Sequence, residues 1–126
     1  MAFERNEIGA PVFAVVKGIT CDQSDLASYS PPDPTCFTLT LRVHIGLADT
    51  AGADDFECHV CTPTWLIQTV SGPTWVRHLM IVPEYDLGKI EGAIHGYVAS
   101  CAGESWPNIA SKLARVFAWE FEDYAP

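Results

Sequence analysis

Cys58-His59-Val60-Cys61 sets two thiols three residues apart around an imidazole. That spacing occurs in zinc and redox sites, and a neighbouring histidine could also activate a cysteine nucleophile. Each of these chemistries needs more than the chain supplies locally. A structural zinc needs four ligands, and no second Cys-x-x-Cys or His-x-x-x-His completes a set. Residues three apart in a strand point to opposite faces, so the two thiols of an extended segment cannot meet. There is no Gly-x-Ser-x-Gly, His-Glu-x-x-His, phosphate-binding loop or Gly-x-Gly-x-x-Gly. The thiols therefore read as structural, with no metal, no cofactor and no catalytic residue assigned. The alternative is a small-molecule-binding or enzymatic domain that uses a face carrying His44, His59 and His78, which requires those rings to converge on one polar pocket.

Carboxylates and tryptophans offer binding chemistry instead. Asp54, Asp55 and Glu57 cluster around Phe56, and the C-terminal run Trp119-Glu120-Phe121-Glu122-Asp123-Tyr124 alternates aromatic with acidic residues. In an extended strand Trp119 and Phe121 face one side, while Glu120 and Glu122 face the other. Such a segment pins the C-terminus to a core and turns carboxylates outward. Trp75 lies in a turn beside Pro73, where it either packs over the core as a lid or stands exposed as a binding anchor. Candidate contacts for a protein partner are thus Asp54, Asp55, Glu57, Trp75, Glu120, Glu122 and Asp123.

These residues must be held by a scaffold, and the hydrophobic pattern gives one. Val12 to Val16 reads as a first strand, followed by a polar, proline-rich loop from Thr20 to Thr35. Phe37, Leu39, Leu41, Val43, Ile45 and Leu47 alternate with Thr38, Thr40, Arg42, His44 and Gly46, which predicts a long half-buried strand. A turn containing Gly52 leads to a second strand with Phe56, Cys58 and Val60 on one face, making a hairpin. Thr62-Pro63 starts a short helix. Leu79-Met80-Ile81-Val82 is a continuous apolar run, as expected of a central strand covered on both faces. Asp86 caps a helix with a stripe of Ile90, Ala93, Ile94, Tyr97, Val98 and Cys101. Ser105 caps another that buries Ile109, Leu113, Val116 and Phe117. The expected fold is α+β: a mainly antiparallel sheet of four to five strands with two longer helices packed on one face.

The chain has 126 residues, 48% of them hydrophobic and 18% charged, which fits a single globular domain over residues 1–126. Sixteen acidic residues against seven basic ones give a net charge of −9. That balance argues against direct contact with nucleic acid, which requires a positive surface, and favours a basic protein partner. Five irregularly spaced cysteines fit reduced thiols, no apolar run is long enough for a membrane span, and the mixed-charge N-terminus is unlike a signal peptide. The expected compartment is the cytoplasm.

Cys61-Thr62-Pro63-Thr64-Trp65-Leu66 resembles a stretch of the immunity protein 8 family of bacterial polymorphic toxin systems. Three further segments carry the resemblance: Arg77 to Asp86, Cys101-Ala102-Gly103-Glu104-Ser105-Trp106, and Trp119 to Tyr124. The Ile45-Gly46 step and Asp55-Phe56 also fit, so the likeness runs from about Phe37 to Tyr124 with similar spacing; residues 1 to 35 and the helix containing Gly92 and Gly96 add nothing to it. The resemblance implies a non-enzymatic antidote that binds and blocks a cognate toxin domain by stoichiometric occlusion and needs no cofactor.

Overall fold

Ten residues of alternating character, Thr38–Leu47, form the longest strand (β2), and every second side chain from Leu39 to Ile45 is buried. The computed structural model describes residues 11–121. Around β2 the chain runs β1 (Ala14–Thr20), β2, β3 (Asp54–Cys61), α1 (Pro63–Thr69), β4 (Leu79–Ile81), α2 (Leu87–Ala99), α3 (Trp106–Leu113) and β5 (Ala118–Trp119). This is the order of elements read from the hydrophobic pattern.

β1, β2 and β3 pair antiparallel in sequence order. The far side of β3 is shared: β4 pairs with His59–Cys61 and β5 with Phe56–Glu57, so these two strands lie end to end along it. The core gathers the inner face of the sheet (Leu41, Val43, Ile45, Phe56, Val60) with Ile90, Ile94 and Val98 of α2 and Ile109, Ala110 and Leu113 of α3. Helix starts follow local chemistry. The side chains of Thr62, Asp86 and Ser105 accept from the backbone N–H of Trp65, Lys89 and Asn108, and Pro63 and Pro107 sit in first turns that lack intrahelical acceptors for their N–H groups. Gly46 is required by packing, because a Cβ there would run into the Gly52 carbonyl of the β2–β3 turn.

Five expectations need correction. The sheet is mixed, because β4 runs parallel to β3; the α1-containing crossover between them brings the chain back to enter in the same direction. β4 is an edge strand, and Ile81 is 54% exposed; the apolar run reads as central only because Met80 and Val82 do pack on the core. Of the two helices expected to be long, α2 has 13 residues but α3 only 8, little more than the 7 of α1. Val116 is exposed, because α3 ends at Leu113 and the following turn breaks the helical period, while Phe117 is returned to the core. β1 also extends further than Val12–Val16. It continues to Thr20 past a bulge between Val16 and Gly18, and Val12 makes an isolated bridge to Gly103. The loop from Thr20 to Thr35 is pinned by buried Cys21 and Leu26 and by edge-to-face contact of Tyr29 with Tyr85.

Candidate functional site

Strand alternation sorts the acidic residues of β3 onto two faces. Asp54 shares a face with Phe56, and its Oδ2 accepts from the indole N–H of both Trp106 and Trp119, each at 3.0 Å. One carboxylate therefore ties β3 to the start of α3 and to β5. The Trp119 ring stacks on Phe56 at 6.2 Å with planes 11° apart, closing the clamp.

Asp55 lies on the opposite face, in a polar network. Its Oδ1 accepts from His44 Nδ1 at 2.6 Å, and its Oδ2 is 3.6 Å from the Arg42 guanidinium. Because an ionised carboxylate only accepts, Nδ1 of His44 carries the proton. Arg42 also pairs with Asp22 at 2.5 Å; that hydrogen bond and charge, then Asp55, hold its pKa above the usual arginine value. Glu57 is paired across the strands with Arg42 and is half-buried. The Glu120 carboxylate accepts from the Asp55 backbone N–H at 2.8 Å, and the Glu120 N–H donates to the Asp55 carbonyl at 3.1 Å. Asp54, Asp55, Glu57 and Glu120 are thus brought together where β5 meets β3. Glu122 and Asp123 lie outside the described residues. The Arg42–Asp22 pair was missed in reading the sequence, although the wet side of β2 already set Arg42 and His44 opposite the acidic start of β3.

Trp75 is elsewhere, on the loop that enters β4. It is 99% exposed, so it is not a lid over the core. Residues 71–77 are all exposed around it, and Ile67 of α1 is 76% exposed, with Val76 also exposed. This crossover is the part of the described chain where large apolar side chains stand most fully in water.

His44 and His59 do not share a pocket. His44 is bound to Asp55, while Nδ1 of His59 meets the Thr40 hydroxyl at 2.9 Å. His59 is four residues from Asp55 along β3, about 13 Å away at strand spacing. His78 has a left-handed backbone (φ 59°), and its carbonyl accepts from His59 N–H at 2.9 Å. An open pocket of about 420 Å³ lies between the end of β1 and the start of α2, lined by Ile19, Cys21, Leu26, Leu87 and Glu91 among others, with no histidine. The thiols of Cys58-His59-Val60-Cys61 are buried and free. Burial, then the charge of Glu57, pushes the Cys58 thiol up to about 12, and burial also raises Cys61. Neither is poised as a thiolate nucleophile. Among the described residues no group of three or more His, Cys, Asp or Glu side chains is arranged to hold a metal. No helix there is long and apolar enough to cross a membrane.

A family model described as Immunity protein 8 matches residues 14–124, most of the chain. The chain belongs to the immunity protein 8 family. No curated protein and no solved structure matches it. The match extends the likeness read from Phe37 onward back to Ala14, the first residue of β1. In this immunity protein two surfaces now stand apart. One is the carboxylate cluster at the β3–β5 junction, much of it engaged internally. The other is the apolar crossover carrying Trp75.

Proposed function

We propose that this immunity protein neutralises a cognate bacterial toxin domain by binding it stoichiometrically, with no catalytic step of its own. Membership of the immunity protein 8 family carries the reading. Three features of the chain support it. Trp75 is nearly wholly exposed, as a binding anchor must be before its partner arrives. The net charge of −9 favours encounter with a basic toxin, raising association rates by about 10- to 1000-fold in favourable cases. The Cys58 and Cys61 thiols are buried, and the side chains of His44 and His59 are engaged by Asp55 and Thr40.

In this proposal the partner is a basic toxin domain met in the cytoplasm, without nucleic acid, membrane or cofactor. Trp75 anchors the contact. Asp55, Glu57 and Glu120, with Glu122 and Asp123, supply carboxylates for steering. Asp54 serves them indirectly, by holding β5 in place. The test is growth rescue: the toxin domain encoded beside this gene is expressed in a susceptible bacterium with and without the protein, and the pair is co-purified. Rescue with a one-to-one complex is the expected result. Rescue without any complex would instead indicate destruction of the toxin's product or repair of its damage, and would refute occlusion.

A further inference from the structure

The edge of the sheet beyond β4 carries backbone groups that the described chain does not use. His78 carbonyl accepts from His59 N–H at 2.9 Å, and Val82 N–H donates to Cys61 carbonyl at 3.0 Å. In a parallel ladder these bonds fix the parity: residues 78, 80 and 82 face β3, and residues 79 and 81 face away. The N–H and C=O groups of Leu79 and Ile81 therefore point outward, and no backbone hydrogen bond beyond the ladder engages them among the described residues. At the opposite edge β1 is interrupted by its bulge and carries Lys17, whose ammonium reaches the Thr50 carbonyl. Bulges and lysines are devices that blunt an edge against pairing. β4 has neither; its shortness alone limits it, bounded by left-handed His78 on one side and Pro83 on the other.

We propose that the toxin supplies an extended segment that adds to the outer edge of β4, bonding to Leu79 and Ile81 through main-chain groups while Trp75 and Ile81 grip its side chains. This rests on the neutralisation reading above and deepens it. The occupant follows from what is missing: the edge offers two N–H and two C=O groups at strand spacing, and an extended backbone satisfies donors and acceptors together at that repeat. The exposed apolar side chains of the crossover and of β4, Trp75 (99%), Ile67 (76%) and Ile81 (54%), favour apolar residues in that segment. The net charge of −9 favours basic residues flanking it. Main-chain bonding tolerates side-chain variation, so the edge contributes affinity with little sequence preference, and Trp75 adds both affinity and discrimination.

The test has two arms, on the full chain with the purified toxin domain. Amide hydrogen exchange is measured for the free protein and the complex; the Leu79 and Ile81 amides are expected to slow by about tenfold or more on binding. Ile81→Pro removes an outward N–H and no ladder bond, the position at which an edge strand accepts proline. It is expected to weaken binding by about tenfold or more, while Ile81→Val stays within about threefold. A complex that leaves both amides exchanging as in the free protein overturns strand addition while neutralisation stands, and this holds even if the proline variant fails to fold. Absence of any complex overturns both. A dimer of the protein alone that Ile81→Pro dissociates would make a second copy the occupant and overturn the assignment to the toxin.

Discussion

Replacing Asp54 tests whether its carboxylate belongs to the scaffold or to the interface. In the native protein Oδ2 accepts from two indole N–H groups at 3.0 Å, both part-buried. A hydrogen bond to a charged acceptor contributes about 1.5–3 kcal/mol when buried, and partial exposure places these two near the low end. Asp54→Ala should therefore cost about 2–4 kcal/mol, a large share of a typical 5–15 kcal/mol domain stability. For a chain of this size each kcal/mol moves Tm by about 3–5 °C, so a fall of about 6–20 °C is expected. Asp54→Asn keeps an acceptor oxygen but loses the charge, and should cost about half as much. Urea unfolding followed by far-UV circular dichroism gives both values, and the tryptophan emission of native Asp54→Ala should shift as the indoles gain water. A loss under about 0.5 kcal/mol in Asp54→Ala would refute the clamp. Unchanged toxin affinity in folded Asp54→Asn would separate the residue from the interface.

Trp75→Ala should leave Tm within about 2 °C, because the side chain contributes almost no burial, yet weaken toxin binding by about thirtyfold, as an anchor with a contribution near 2 kcal/mol would; calorimetry of both properties on one preparation decides it. Cys58 links stability to alkaline pH. Burial pushes its folded pKa up to about 12 from the ordinary thiol value of 9.0, so the unfolded chain loses its proton first and stability falls between those pH values. Urea titrations at pH 8 and pH 10.5 should show a larger loss for the native sequence than for Cys58→Val, and equal losses would refute the burial argument.

The order of elements was legible because β2 and α2 have long periodic patterns and because Thr62, Asp86 and Ser105 are strong helix-start residues. Strand position within the sheet was not. Leu79-Met80-Ile81-Val82 is apolar throughout, and composition alone cannot say that a three-residue strand lies at an edge, which depends on where the crossover delivers the chain. The exposure of Trp75 was likewise undecidable from a turn beside proline. Asp54 was within reach: counting back two residues from Phe56 places it on the buried face, where an acid needs donors and indoles can provide them. Reading Asp54 with Asp55 as one acidic patch hid that difference. The pairing of Arg42 with Asp22 depended on a loop whose path no local pattern specifies.

β3 has a consequence for the timing of synthesis. Its partner Trp119 is encoded 65 residues after Asp54. At about 5–20 residues per second, translation takes about 3–13 s to cross that interval. Until then the β3–β4 half of the sheet can form, but Phe56 has no stacking partner and the Asp54 carboxylate has no second indole. A ribosome that stalls or terminates before Trp119 leaves a chain with its hairpin made and its closing clamp absent. The closing of this sheet thus waits on the codons for Trp119, long after its hairpin has been made.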